Sequence, residues 1–188
     1  YTITAIDNEG CPASATVTIT EPDEVVASPS VTSNYNGEDI SCFGFNNGSA
    51  FVAVTNAIGG IDSYVWTGPS PSVASVGSEQ TVSDLEAGEY SITVTDGNGC
   101  SSQTETVTLT EPDELLIDTY TSDDMSCFDV ADGFIDVSVT GGTGNINYFW
   151  TSLSAYSNTS VNDGLEQGLD AGEYTVNIVD ANGCGPVS

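Results

Sequence analysis

The chain has 188 residues, and its 28 acidic side chains are accompanied by no lysine, arginine or histidine, which gives a formal net charge of −28 at pH 7. Without cationic side chains the chain cannot bind a phosphate backbone or an anionic membrane surface, so we expect no nucleic-acid binding. No apolar run is long enough to cross a bilayer, so we expect no membrane span. Histidine catalysis, Schiff-base lysines and arginine clamps are excluded, whereas a hydrophobic share of 38% predicts a folded chain.

The chain repeats itself. One segment runs from a tyrosine to a cysteine and occurs three times, at 1–11, 90–100 and 174–184. The tetrapeptide EPDE occurs twice, at 21–24 and 111–114. The resulting period of about 85–90 residues is typical of a small β-sandwich rather than of one turn of a solenoid.

The repeat divides the chain into three predicted parts. We expect the C-terminal strands of a preceding, truncated repeat at 1–21, a complete repeat at 22–111, and a second repeat lacking its last strand at 112–188. The strand-like start also suggests a piece of a longer protein. Because the EPDE linkers are short and contain proline, we expect the modules to lie end to end as a rod.

Short alternating patterns predict six strands in the complete repeat. They are Val25–Ser33, Ala50–Thr55, Ser63–Thr67, Thr81–Leu85, Glu89–Asp96 and Thr104–Thr110. Asp96-Gly-Asn-Gly supplies turn residues for a hairpin between the last two. The spacing Leu85-x-Ala-Gly-x-Tyr90, matched by Leu169 and Tyr174, is similar to a tyrosine corner. The predicted fold class is therefore all-β, as tandem immunoglobulin-like β-sandwich modules.

The five cysteines occupy two positions of the repeat. Cys42 and Cys127 hold the first position, and Cys11, Cys100 and Cys184 hold the second. One disulfide per repeat predicts the pairs Cys42–Cys100 and Cys127–Cys184, with Cys11 bonded to a residue outside the chain. Such bridges require an oxidising, extracellular compartment. Buried free thiols or a metal site are the alternative, which the lack of histidine and of a CxxC motif disfavours.

Two tryptophans, Trp66 and Trp150, end predicted strands at equivalent places. Each is a candidate ligand-binding residue, since an exposed indole can stack on a sugar ring. Core packing is the favoured interpretation, because large aromatic side chains dominate the interiors of sandwiches.

Acidic residues around the second linker suggest a calcium site, because calcium takes oxygen ligands from carboxylates and carbonyls. The candidate ligands are Glu111, Asp113 and Glu114 of the linker and Asp123 and Asp124 of the following repeat. Beyond calcium, the residues imply no cofactor.

Carboxylate pairs such as Asp123–Asp124 or Glu86–Glu89 are the best candidates for a hydrolase. Such a pair needs a cleft that raises one pKa. The acidic residues instead fall mostly in turns beside glycine, where they are solvated. We therefore expect no enzyme.

Several motifs carry a family resemblance. They are Ser41-Cys-Phe, Asn47-Gly-Ser-Ala, Tyr64-Val-Trp66, Leu85 to Tyr90, Val94 to Cys100 and Thr108 to Pro112. Together they resemble the SprB repeat of the large gliding-motility adhesins and related cell-surface proteins of Bacteroidetes. The resemblance covers the complete repeat, most of the second and the tail of the first. The loops at 68–80 and 152–168 are longer than the family's usual stretch.

The resemblance implies secretion across a bacterial outer membrane, often by the type IX route, and display as long filaments. The predicted function is a non-catalytic extracellular stalk or spacer of an adhesin or filament, with surface contact in adhesion or gliding. Its partners would be neighbouring repeats of the same chain, surface polysaccharide or other filament subunits. The alternative is a carbohydrate-binding module that uses the tryptophan-bearing strands or the two long loops.

Overall fold

The computed structural model describes residues 1–69, 79–152, 157–158 and 164–188. These residues form β-strands and turns, and they contain no helix, which confirms the predicted all-β class. It follows that no described segment is a helix able to cross a bilayer.

The described strands form small antiparallel sheets. In chain order they are β1 (Thr2–Ile6), β2 (Pro12–Thr16), β3 (Val26–Val31), β4 (Gly48–Thr55), β5 (Ile61–Thr67), β6 (Thr81–Leu85), β7 (Gly88–Asp96), β8 (Glu105–Leu109), β9 (Leu116–Asp123), β10 (Gly133–Thr140), β11 (Asn147–Ser152), β12 (Ser157–Asn158), β13 (Leu165–Leu169) and β14 (Tyr174–Val179). The six strands predicted for the complete repeat agree with β3–β8 to within two residues at each end.

Strands β3–β8, with the core they enclose, are called the first unit below. Their sheets have the orders β3-β4-β6 and β5-β7-β8. Side chains from both sheets meet in one core: Val52 and Leu85 come from one sheet, and Trp66, Tyr90 and Ile92 from the other. Burial alternates along β7, because successive side chains of a strand point to opposite faces. One face of each sheet therefore builds the interior.

Strands β9–β14 are called the second unit and follow the same plan with a smaller core. Their sheets have the orders β13-β10-β9 and β12-β11-β14. Val137, Tyr148, Trp150 and Ile178 are buried together. Strand β14 pairs with β11 on one side. At the other edge of β14, the described residues form an isolated bridge between Ile178 and Val187 rather than a strand. At the corresponding edge of β7, the first unit has strand β8.

The strand directions define two ends for each unit. The near end is where the first strand of the unit begins, at Val26 in β3 and at Leu116 in β9. The far end is where that strand finishes. Because all pairings are antiparallel, β7 runs back from the far end and finishes at the near end with Asp96 opposite Ile61. The turn that follows β7 therefore lies at the near end.

Both tyrosines of the predicted tyrosine corners make the expected hydrogen bond. The hydroxyl of Tyr90 donates to the carbonyl of Glu86 at 2.9 Å, and that of Tyr174 donates to the carbonyl of Asp170 at 2.9 Å. Each bond fixes the chain just before a central strand enters the core. The hydroxyls therefore serve the fold.

We expect Tyr90→Phe to lower the free energy of unfolding by about 0.5–1.5 kcal/mol, the usual net contribution of one hydrogen bond. The ring is fully buried and keeps its packing, so the loss comes from the hydroxyl. Tyr174→Phe, whose ring is only partly buried, is the matched variant. Urea unfolding of both variants measures the effect. No loss at Tyr90 would contradict a structural role for the corner.

Candidate functional site

The candidate functional site is the joint, which is the contact between the far end of the first unit and the near end of the second. A disulfide joins Cys42, in the loop between β3 and β4, to Cys184, in the turn after β14. The two Cα atoms are 5.5 Å apart, and the residues are 142 positions apart in the chain. Both cysteines are buried. The two units are thus covalently linked a second time, beside the peptide linker.

This bond corrects the predicted disulfides. Cys42–Cys100 and Cys127–Cys184 are not formed; Cys100 and Cys127 are exposed free thiols, as is Cys11. The reason is strand direction. The first cysteine of each unit lies at the far end and the second at the near end, separated by about 26 Å for a nine-residue strand such as β7. A disulfide requires Cα atoms within about 7 Å.

An asparagine side chain crosses the joint beside the disulfide. The Asn182 Nδ2 atom lies 3.3 Å from the carbonyl oxygen of Tyr35, 3.1 Å from that of Ser41 and 3.0 Å from Thr143 Oγ1. In return, Asn36 donates to Asn182 Oδ1. A side chain of the second unit therefore satisfies backbone groups of the first unit, which fixes the two units in register.

The carboxylate of Asp180 shapes the turn that carries Asn182 and Cys184. Its Oδ1 atom accepts from the backbone N–H groups of both residues, at 2.9 and 2.8 Å. Its Oδ2 atom accepts from the N–H of Thr143 at 2.8 Å, which ties the turn to the loop after β10. Asp180 is buried, with 3% of its surface exposed. One carboxylate therefore holds both residues that reach across the joint.

The linker packs tightly against the loop after β10. The N–H of Gly142 donates to the carbonyl of Asp113 at 2.9 Å. Gly141 has a φ of 74°. A Cβ atom on Gly141 would lie 1.9 Å from the carbonyl oxygen of Glu114. Only glycine fits there, so the close approach of linker and loop depends on this residue.

The equivalent turn of the first unit is organised by Asp96. Its Oδ2 atom accepts from the N–H of Ile58 at 3.0 Å, and its Oδ1 atom accepts from the N–H groups of Cys100 at 2.8 Å and Asn98 at 3.0 Å. These donors, the Ile58 N–H foremost, lower the pKa of Asp96 below its ordinary value of 3.8 because they favour the charged form. Hydrogen bonds from Ser126 likewise lower the pKa of Asp132.

These two shifts predict how stability responds to acid. A group whose pKa is lower in the folded chain than in the unfolded chain contributes stability above its unfolded pKa, and that contribution is lost as the pH falls through the folded pKa. Going down from pH 7, we expect stability first to rise, because protonation of exposed carboxylates reduces the net charge of −28 and its self-repulsion. Below pH 3.8 we expect it to fall.

Urea unfolding between pH 7 and pH 2 measures this profile. Asp96→Asn and Asp132→Asn should each flatten the acid limb, since neither amide can be protonated there. Asparagine occupies the position equivalent to Asp132 in the first unit, at Asn47, which makes Asp132→Asn a mild change. An acid limb that is unchanged in both variants would show that other groups cause it.

Both candidate stacking tryptophans lie in the cores. Trp66 is 2% exposed and Trp150 is 3% exposed. The indole N–H of Trp66 donates to the carbonyl of Glu79 at 3.2 Å, whereas that of Trp150 finds no acceptor among the described residues. The low exposure of both side chains agrees with the core-packing interpretation. The long loops at 68–80 and 152–168 fall largely outside the described residues.

The five candidate calcium ligands are not brought together. Strand β9 starts beside the linker and carries Asp123 and Asp124 to its far end, about 23 Å from Leu116. The linker carboxylate of Glu111 accepts from the N–H of Gly44 at 2.6 Å. Within the described ranges, no three acidic or cysteine side chains are grouped closely enough to hold a metal ion. The structure therefore does not bring the five candidate carboxylates into one site.

The high charge still predicts a response to salt. We expect added salt to raise the melting temperature, because ions screen the repulsion among 28 carboxylates over about 8–10 Å. Calcium and sodium at matched ionic strength should give the same melting temperature, and Asp113→Asn should not change the comparison. Differential scanning calorimetry tests this. An additional stabilisation by calcium that Asp113→Asn removes would contradict the placement of the linker acids.

Comparison with known proteins gives one family. Residues 119–155 match the family model of the SprB repeat. The resemblance seen in the sequence is confirmed for this segment, which contains the Ser126-Cys127-Phe128 motif and Trp150. It is 37 of the 188 residues and lies in the second unit, whereas the motifs that suggested the family lie mostly in the first. SprB repeats are structural repeats that occur in cell-surface proteins. No curated protein matches the chain.

The sequence patterns did not single out the joint residues Asn36, Asp180 and Asn182. A usable signal existed, because the pattern Asp-x-Asn-Gly-Cys occurs at both 96–100 and 180–184. It was interpreted as a hairpin turn alone. The turn is present, but its asparagine and cysteine are also the residues that contact the neighbouring unit.

Proposed function

We propose that the chain is a non-catalytic segment of tandem immunoglobulin-like β-sandwich repeats in an extracellular adhesin or filament, where it acts as a stalk or spacer in adhesion or gliding motility. The repeats would span 22–111 and 112–188, with 1–21 belonging to a preceding repeat. The chain would be exported across a bacterial outer membrane. The SprB match at residues 119–155 supports the cell-surface setting.

The observation that carries this proposal is the Cys42–Cys184 disulfide. A spacer transmits position and force only if successive units keep a fixed orientation. A peptide linker alone leaves rotation about several backbone bonds. A second covalent link and the Asn182 contacts remove much of that freedom. The joint is thus built to stiffen the chain.

The charge suits the same role. All 28 charged side chains have one sign, so neighbouring filaments repel each other and adjacent units gain nothing by folding back on one another. Partners of the segment would be neighbouring repeats of the same chain, with surface polysaccharide or other filament subunits contacted elsewhere along the filament.

Small-angle X-ray scattering of the chain tests the proposal. With the disulfide intact we expect an elongated particle with its two units end to end. Reduction, or Cys42→Ser with Cys184→Ser, should broaden the distance distribution while circular dichroism shows retained β-structure. Cys127→Ser is the matched control, since it removes a thiol and leaves the joint bond intact. Two units packed side by side would contradict the proposal, as would a shape indifferent to reduction.

The carbohydrate-binding alternative has less support. Its two candidate tryptophans are buried, and the long loops lie mostly outside the part of the chain that the structure describes. A glycan array probed with the intact chain decides the matter. Specific, saturable binding would favour this alternative over a pure spacer.

A further inference from the structure

Two exposed free thiols stand at opposite ends of the pair of units. Cys100 lies in the turn after β7, at the near end of the first unit. Cys127 lies in the loop between β9 and β10, at the far end of the second unit. The disulfide at the joint is formed by two other cysteines: Cys42, at the far end of the first unit, and Cys184, at the near end of the second unit. Each unit therefore carries one cysteine at each end.

Cys100, the free thiol at the near end of the first unit, is equivalent in repeat position to Cys184, which is bonded. Cys100 and Cys184 occupy the same place in the repeated turn, and in both turns the N–H of the cysteine donates to an aspartate at 2.8 Å. Asn98 of the first unit stands where Asn182 stands in the second. In the second unit, the residues of this turn are the ones bonded to a preceding unit.

Cys127, the free thiol at the far end of the second unit, is equivalent in repeat position to Cys42, which is bonded. The loop of Cys42 is held by a hydrogen bond of 3.1 Å from the N–H of Ser41 to Asn47, and that of Cys127 by one of 2.8 Å from the N–H of Ser126 to Asp132. Both cysteines are presented by the same loop. The difference is that Cys42 has a following unit to bond with.

We propose that the Cys42–Cys184 bond is one instance of a disulfide formed at every joint between successive repeats. Cys100 then bonds to the far-end cysteine of a preceding repeat, and Cys127 bonds to the near-end cysteine of a following repeat. The partner is in each case another repeat of the same type. The inference rests on the proposed tandem arrangement and gives the filament a crosslink at each joint.

The bond-forming step is an oxidation of two thiols. Each new disulfide releases two protons and two electrons from the paired cysteines. The oxidant is a protein of the thiol–disulfide oxidoreductase class, whose own disulfide forms a mixed disulfide with one cysteine. The second cysteine then displaces it, and the oxidant leaves as a dithiol.

A lengthened chain tests the proposal for Cys100. A second copy of residues 22–111 is placed between residues 111 and 112, so that the same linker precedes each following unit. After oxidation, we expect Cys42 of the first copy to be bonded to Cys100 of the second copy, and Cys42 of the second copy to Cys184. Three thiols should remain free, as in the original chain.

A second lengthened chain tests Cys127. Residues 1–184 are followed directly by residues 101–188, which supplies the middle unit with the β8 strand and a linker. Here we expect a disulfide between Cys127 of the middle unit and Cys184 of the last. The same chain carrying Cys127→Ser is the control, and should show one more free thiol, at the last Cys184. The two chains test the two thiols separately, so each result stands by itself.

Mass mapping of non-reduced peptides identifies the bonds. A protease that cleaves at acidic residues is needed, because the chain has no lysine or arginine for trypsin. A disulfide between Cys42 and Cys100 of one unit would overturn the proposal, as would full alkylation of the predicted cysteines in the lengthened chains. Elongated scattering with unpaired thiols would overturn only the crosslinking, whereas paired thiols in a folded-back particle would overturn the proposed spacer function.

Discussion

Replacing Cys42 and Cys184 together by serine is expected to lower the free energy of unfolding by about 2–5 kcal/mol. The bond closes a loop between residues 142 positions apart, and the chain-entropy model puts the stabilisation by so large a loop near the upper value. Urea unfolding with the intact disulfide, compared with the double variant, measures the difference. The joint should lose order first, since it then relies on the linker and on non-covalent contacts such as those of Asn182.

The stabilities of single cysteine variants provide a further comparison. Cys42→Ser or Cys184→Ser alone should lose at least as much stability, because each leaves a buried thiol without its partner. Cys127→Ser should change stability by less than about 0.5 kcal/mol, as is usual for an exposed residue away from packing contacts. Equal stability of the chain and the double variant would mean that the Cys42–Cys184 disulfide does not stabilise the fold.

Trp66→Ala should cause a comparably large loss, of about 3–5 kcal/mol, as is typical when a buried tryptophan is truncated. The indole is 2% exposed and packs among the buried residues of both sheets of the first unit. Truncation leaves a cavity and also removes the hydrogen bond to the carbonyl of Glu79. Thermal or urea unfolding of the first unit, followed by tyrosine fluorescence and circular dichroism, measures the effect.

Trp66→Phe keeps a six-membered aromatic ring in the core but loses the indole N–H and part of the side-chain volume. We expect it to cost less than the alanine variant. Trp150→Ala is the equivalent change in the smaller second core. If Trp66→Ala were as stable as the original chain, the indole would not be a core residue, and its role as a ligand platform would have to be reconsidered.

The strands could be predicted well from the sequence because their cause is local. Alternation of apolar and polar residues, with glycine and asparagine in the turns, follows from the geometry of a strand with one buried face. The tyrosine corners were also predictable, since Tyr90 and Tyr174 reach acceptors only four residues away. Neither feature depends on how the two units are placed.

The predicted disulfide pairs were wrong because the pairing depends on residues that are far apart in the sequence. Counting cysteines per repeat shows which residues are equivalent, but not at which end of a unit each one lies. The antiparallel path decides that: Cys42 follows β3 at the far end, and Cys100 follows β7 at the near end. Tracing strand directions through the predicted elements would have excluded the pair Cys42–Cys100.

The separation of the candidate calcium ligands has a related cause. Asp113 and Asp123 are ten positions apart in the sequence, but the extended strand β9 between them carries the second away from the first. A helix or a tight loop would have kept them close. The role of Asn182 was hidden in the same way, since its acceptors Tyr35 and Ser41 belong to the other unit.

Mass mapping of non-reduced peptides from the 188-residue chain determines whether the joint is covalently crosslinked. We expect one disulfide-linked peptide pair, containing Cys42 and Cys184, and alkylated peptides for Cys11, Cys100 and Cys127. A pair containing Cys42 and Cys100, or one containing Cys127 and Cys184, would show that each unit closes its own disulfide and that the joint is not covalently crosslinked.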